Sequence, residues 1–225
     1  MLLVAYGDSI VNTTKQKKPL RVPRAVQLEK TRAALVAAAA EIVGEEGYQA
    51  CSVAKIALRA GVGQGTFYTY FSSRQELFDQ LLPELGGDLR SFIRERTKHF
   101  GSMIEFEERS FDALLEFLYQ VPGYHRIFSE AETLAQVAFN KHLRVARAEY
   151  VKALKRAASN GELGGYGEDE FETLAVILIA LRSFIGPRFL VGKSQRRMPP
   201  NIRKTYLKFL TQGLGGAQRA KRKRA

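Results

Sequence analysis

Four side chains stand at the start of one short helical segment: Gln64, Thr66, Tyr68 and Tyr70, with Gly65 between the first two. An amide, a hydroxyl and two phenols projecting there suit an element inserted in a major groove, where base edges and phosphates lie within reach. Ser52 caps the helix before it, and Lys55 on that helix reads either as a phosphate contact or as part of a solvated face. This is chemistry of recognition rather than of bond making. No nucleophile–base constellation, G-x-S-x-G elbow, H-E-x-x-H, Walker loop or dinucleotide fingerprint occurs, and Gly63-Gln64-Gly65 lacks a third glycine. His99, His125, His142 and the lone thiol Cys51 show no familiar ligand spacing, so no catalytic residue, metal site or cofactor is expected.

Those side chains need a platform. Val53, Ile56, Ala57, Val62, Phe67 and Phe71 supply the apolar underside of two short helices that meet at Gly61-Val62, a helix-turn-helix spacing. Upstream, Leu28, Leu35, Ala39, Ile42 and Val43 recur with helical period, and Gly44 to Gly47 ends that helix. Downstream, Ser73-Arg74-Gln75-Glu76 reads as a capping box for a fourth helix, with a kink expected at Pro83. Further helices are predicted over 107–120, 123–141, 143–159, 168–190 and 201–212, punctuated by Pro122, Pro200 and the glycines between 161 and 167. Gly186-Pro187 is expected to kink or end the 168–190 helix. The pattern predicts about nine helices and no sheet.

The run Ser52-Val53-Ala54-Lys55-Ile56-Ala57, then Gly61-Val62-Gly63-Gln64-Gly65-Thr66-Phe67-Tyr68-Thr69-Tyr70-Phe71 and Ser73-Arg74-Gln75-Glu76-Leu77-Phe78, resembles the signature of the TetR family of bacterial one-component regulators. The likeness covers roughly residues 28–82; beyond it only length and helical character are similar. It implies an all-α fold: a three-helix DNA-binding domain at 25–82, then a helical effector-binding and dimerisation domain at 83–213. Carried over position by position, Ser52 would touch a phosphate, and Gln64 and Thr66 would face base edges. Gly65 would admit close backbone approach, while Tyr68, Tyr70 and Arg74 would hold phosphates. Ala54 stands where some relatives carry a base-reading arginine, and Tyr70 replaces a common histidine, so fewer direct base contacts are expected.

The charge is unevenly spread. The chain of 225 residues carries a formal net charge of +12, which favours a polyanionic partner. Residues 1–32 carry seven basic and two acidic side chains, and residues 193–225 eleven basic and none acidic, which leaves an acidic middle. Residues 33–75 are neutral, with Lys55, Arg59 and Arg74 matched by Glu41, Glu45 and Glu46. A DNA reader so balanced needs help, and a basic arm at 1–24, expected to be disordered, can supply it along the backbone or minor groove. Its other reading is a solubility tail or a misassigned start. Residues 214–225 are likewise expected to form a basic disordered tail. The longest apolar run, Leu174 to Leu181, is too short to span a bilayer, and one cysteine fits a reducing compartment, so a cytoplasmic protein is expected.

The resemblance implies an effector pocket in the second domain, with Phe117, Tyr124, Phe128, Tyr150 and Phe184 as candidate walls. Arg182 interrupts a helix that is apolar on nearly all faces, and an unpaired charge there is costly. It is read first as a salt bridge at a subunit interface, alternatively as a bidentate holder of a ligand carboxylate or phosphate. Lys141, Arg144, Arg147, Lys152, Lys155 and Arg156 form a basic run that reads as a solvated face, or as a seat for the phosphates of an acyl-coenzyme-A-like effector. Ile202, Tyr206, Phe209 and Leu210 give the last helix one apolar stripe, and 168–190 is apolar around more of its surface than one core can cover. Both suit a homodimer. The expected partners are therefore double-stranded operator DNA, a small apolar or acyl-coenzyme-A-like effector and a second copy, with no membrane. The leading expectation is a repressor released from a palindromic operator by that effector. An activator of the same fold, an enzyme using the helical pocket and a non-specific basic nucleic-acid binder are its rivals.

Overall fold

The structure, a computed structural model, describes residues 23–190 and 199–222. The described chain forms α1 (Arg24–Glu46), α2 (Val53–Arg59), α3 (Gln64–Tyr70), α4 (Arg74–Arg96), α5 (Met103–Gln120), α6 (Tyr124–Leu134), α7 (Gln136–Ser159), a 3-10 turn (Glu168–Glu170), α8 (Phe171–Leu190) and α9 (Pro200–Arg222). No strand occurs among the described residues.

The caps follow from residue chemistry. The Ser52 hydroxyl accepts from the Lys55 N–H at 3.2 Å and opens α2, a bond worth about 1 kcal/mol. Gly61, at φ 70°, makes the turn that a side chain would strain, and the Val62 N–H returns to Ala57 O at 2.9 Å. Ser73 caps α4 from Glu76 N at 3.1 Å, but the expected capping box is displaced by one residue. The Glu76 carboxylate accepts from Ser72, backbone N–H and hydroxyl both at 2.6 Å, which holds its pKa down.

Several boundaries differ from expectation. α4 continues past Pro83, with buried Leu81 and Leu82 before it and Leu89 after it anchoring both halves. The break between α6 and α7 falls at Ala135 (φ −147°) rather than near His142. Ala135 is itself buried, so packing ends the helix where no glycine or proline marks it. α8 reaches Leu190, the expected boundary, and does not end at Gly186-Pro187. A Cβ at Gly186 would lie 3.4 Å from Leu115 Cδ2, a measure of how closely α8 sits on α5. The disordered tail expected at 214–225 is corrected over 214–222, where α9 continues to Arg222. Leu214 is buried and anchors the added turns, and alanine, glutamine and late cations suit a helix C-terminus. Of the arm expected at 1–24, residues 1–22 lie outside the described residues, while Arg24 already opens α1.

Two buried clusters hold the bundle. The first runs without interruption from Leu35, Ile42, Phe67 and Phe71 through Leu77, Leu81 and Leu89 to Phe117, Tyr124 and Ala138. α4 thus belongs to both halves of the chain. The second gathers Met103, Phe111, Tyr150, Leu154, Phe171, Leu178, Tyr206 and Leu210. Phe111 and Tyr206 stack there at 4.5 Å, fixing α9 on α5. In α9 the expected single stripe divides: Tyr206 and Leu210 face inward, whereas Phe209 is 59% exposed.

Candidate nucleic-acid interface and effector chamber

α3 is held from below and open above. Phe67 is fully buried, whereas Gln64, Gly65 and Thr69 are exposed and Tyr68 is 58% exposed. Thr66 is half-buried, and Tyr70 packs partly against the first core cluster. A Cβ at Gly63 or Gly65 would meet nothing within 4 Å, so the chain's own packing does not require either glycine.

Two of the expected phosphate contacts, Ser52 and Arg74, are brought together. The Arg74 guanidinium donates to Cys51 O at 3.4 Å and lies 5.4 Å from the Phe78 ring centre, beside Ser52. The cations of α2 are engaged by α1: Lys55 Nζ meets Glu46 at 2.6 Å, and Arg59 meets Glu41 at 3.2 Å and Glu45 at 3.1 Å. Lys55 holds the Glu46 carboxyl below its usual range. Exposed pairs of this kind contribute roughly 0–1 kcal/mol, little enough for a phosphate to displace them.

The second site is built by α4, α5, α6, α7 and α8. An inner chamber of about 50 Å³ is lined by Arg90, Tyr124, His125, Phe128, His142 and Arg182, with Leu89, Ile93, Leu114, Leu118 and Ile179 as its apolar walls. His125, Phe128, Ile179 and Ser183 also line an outer apolar groove of about 400 Å³ with Phe139, Leu143, Arg147, Val176 and Phe184. Of the expected ligand residues, Tyr124, Phe128 and Arg182 fall in the chamber and Phe128, Arg147 and Phe184 in the groove. Phe117 and Tyr150 do not line either. Phe117 backs Tyr124 edge-on at 5.4 Å, and the Tyr150 ring lies 5.1 Å from the Arg182 guanidinium.

Behind the chamber, Glu107 is fully buried and accepts from Tyr206 Oη at 3.0 Å and Tyr150 Oη at 3.5 Å. Burial holds its carboxyl above the usual range, against the opposing pull of Arg182. Arg182 itself is buried and makes no ion pair within 4.0 Å among the described residues. Sequence reading misses Arg90 and sets His142 aside, since a cation on an amphipathic helix and a lone histidine carry no distinctive spacing. Of the basic run, Lys152 and Arg156 join Arg94 and Lys98 along a broad groove of about 640 Å³. Arg147 and Lys155 instead pair with Glu172 and Glu168.

α6 joins the two sites. Tyr124, His125 and Phe128 face the chamber, while its other side clasps the end of α1. Glu130 accepts the Tyr48 N–H at 2.9 Å, and Arg126 donates to Glu45 O at 2.6 Å. Gly44 of α1 and Gly123, which precedes α6, touch backbone to backbone: a Cβ on Gly44 would lie 2.7 Å from the Gly123 Cα. Among the described residues no helix is long and apolar enough to cross a membrane, and no group of three or more potential ligands gathers for a metal ion.

Comparison with known proteins agrees with this geometry. Residues 35–81 match the model of bacterial regulatory proteins of the tetR family. A helix-turn-helix-type transcriptional regulator of Haemophilus influenzae is 32% identical over 139 residues, 57% of this chain and 66%, just under two thirds, of that protein. The fold is similar to a TetR-family transcriptional regulator from Rhodococcus sp. (TM-score 0.69, 20% identity, 83% of this chain and 99% of that one). It is also similar to the transcriptional regulator FadR from Bacillus subtilis, solved in complex with stearoyl-CoA (TM-score 0.69, 19% identity, 80% and 98%). A helix-turn-helix whose second helix is bare on one side, joined by shared core to a helical chamber, agrees with these likenesses: residues 35–81 are those of a tetR-family helix-turn-helix, and the whole fold is similar to that of TetR-family regulators.

Proposed function

We propose that the protein is a homodimeric repressor that binds a palindromic operator through α3 and is released by a small organic effector. The observation that carries the reading is α6, which walls the chamber with one face and holds the end of α1 with the other. A ligand that wedges Tyr124 and Phe128 displaces Gly123 against Gly44, and no side chain lies between the two backbones to absorb the movement. Coupling energies of about 1–3 kcal/mol suffice for a roughly 5- to 150-fold change in operator affinity. Gln64 and Thr66 read base edges, and Ser52, Tyr68, Tyr70 and Arg74 hold phosphates, with Lys55 exchanging Glu46 for a phosphate. Ile177 and Phe209, 46% and 59% exposed, are the anchors by which α8 and α9 meet a second copy. That twofold places two reading helices about one or more DNA turns (~34–36 Å each) apart.

A second reading of the effector, an acyl-coenzyme A, is favoured by the cationic groove of Arg94, Lys98, Lys152 and Arg156, which shares Arg90 and Ile93 with the chamber. The stearoyl-CoA in the B. subtilis neighbour supports it. The test of the main reading is selection of bound sequences from a random duplex pool, followed by titration at fixed salt. The expected result is an inverted repeat, bound far more weakly by Ile177→Asp and Phe209→Asp variants that sediment as monomers. Equal affinity for selected and random DNA overturns it.

A further inference from the structure

We propose that the inner chamber is a carboxylate site, seating the head of an amphipathic monocarboxylate whose apolar body lies in the outer groove. The proposal rests on the effector reading above and narrows it to one chemical class.

Three buried polar atoms of residues that line this chamber have no hydrogen-bond partner: Arg182 Nε on α8, and Arg90 Nη1 on α4 and His142 Nδ1 on α7, the last two lying beside Gly86. Arg182 is 8% exposed and donates to nothing among the described residues. Arg90 reaches a carboxylate only through its Nε, 4.0 Å from Glu149. His142 Nε2 lies 3.4 Å from the Tyr124 hydroxyl. If that hydroxyl donates to Nε2, the neutral ring carries its proton on Nδ1, and all three orphaned atoms are donors.

The chamber has no negative charge of its own to answer them. Among its lining residues no Asp or Glu appears. Glu107, a buried carboxyl behind it, accepts from Tyr206 and Tyr150 through Oε2 alone; its Oε1 has no partner, and it feels the charge of Arg182 without forming an ion pair within 4.0 Å. Burial beside Arg90 and Arg182 pushes the His142 imidazole down to about 4, so at neutral pH the fixed charge of the chamber is that of its two guanidiniums. Buried cations without partners are retained where a ligand completes them, and planar forks match a carboxylate. About 50 Å³ admits such a head and little more. The shared wall at Phe128 and Ile179 leads to a groove of about 400 Å³ whose lining is mainly apolar, where the body of the ligand fits.

The head-group series octanoate, octanamide and octylamine tests this by calorimetry on the full chain without DNA. Octanoate is expected to bind at least about tenfold more tightly than octanamide, and octylamine not at all. Arg182→Met removes the octanoate advantage while octanamide binding stays, and Arg90→Gln reduces it in part. The wild-type series decides even where a variant fails to fold. Octanamide binding as tightly as octanoate overturns the carboxylate site. Octanoyl-coenzyme A binding and releasing the operator while octanoate does not bind also overturns it, yet leaves the effector reading intact. Tight, Arg182-dependent octanoate binding with no effect on operator affinity keeps the carboxylate site and sinks the effector reading.

Discussion

The helix-turn-helix head and the helical body behind it treat their cations in opposite ways. In the head, Lys55 and Arg59 lie at the surface, each already paired with a carboxylate of α1. In the body, Arg182 Nε and Arg90 Nη1 are buried without a hydrogen-bond partner, and only Arg90 reaches a carboxylate, Glu149 at 4.0 Å. A surface pair is cheap to form and cheap to exchange, so the head can swap a glutamate for a phosphate at little cost. A buried, unanswered guanidinium raises the free energy of the empty protein, and whatever supplies the missing charge recovers that penalty as affinity. Net charge alone therefore says little about where an anion binds; pairing and burial say more.

The largest effect separating the two regions is on stability. Arg182→Met replaces a buried charge that has no ion pair within 4.0 Å among the described residues with an apolar side chain of similar length, and the ligand-free variant is expected to be more stable in urea unfolding. Loss of stability on that change would mean that Arg182 is already satisfied and that the contrast fails. Next is pH. The folded-state pKa of His142 lies at about 4 against an ordinary 6.5, so between those values the unfolded chain binds a proton that the folded chain refuses. Stability then falls as pH drops through that window, by about 3 kcal/mol in all. Glu107, with its carboxyl raised, acts in the opposite sense above pH 4.5, where the folded chain keeps a proton the unfolded chain releases. The measurement is therefore the difference between wild type and His142→Gln, which is expected to show the lost His142 slope. Parallel curves would remove the histidine from the buried donor set.

The same contrast explains what can be read from the sequence. The head is legible because its logic is local: Ser52, Gly61, Phe67, Phe71 and Ser73 act within a few residues of one another, and spacing records them. Helical class is legible from periodicity and punctuation. The chamber is not, because Arg90, Tyr124, His142 and Arg182 come from four helices and meet only in the packed bundle. Arg182 stands out as a charge in an apolar run, yet its neighbours are set by how α8 crosses α5 and α7. Ala135 escapes notice for a related reason: burial, rather than a breaker residue, ends α6 there. The Tyr150 ring suggests a pocket wall, whereas its hydroxyl commits the residue to Glu107.

Within the head, base reading and phosphate holding are expected to separate. Gln64→Ala changes which operator variants are preferred, by about 1–3 kcal/mol at the position read. Tyr68→Phe, which removes a hydroxyl from a side chain 58% exposed, weakens all variants about equally. A competition series over single-base operator changes distinguishes the two. Equal loss of preference in both variants would merge roles that the geometry keeps apart.

The smallest effect concerns Lys55 and sharpens the comparison most directly. Lys55 and Glu46 are 47% and 42% exposed, so breaking their 2.6 Å pair by Lys55→Met should cost little stability. If the lysine trades Glu46 for a phosphate in the complex, the same change removes one counterion-displacing cation per subunit. The slope of log affinity against log salt then becomes shallower by roughly 0.9 for each phosphate no longer neutralised, while the order of preferred sequences is unchanged. Glu46→Gln provides the complementary arm: it frees Lys55 without removing it, so affinity should rise slightly at low salt and the slope should hold. An unaltered slope in Lys55→Met would assign the residue to its glutamate alone. The exchange of partners that distinguishes the head from the body would then have to come from Arg74 and the basic residues before α1.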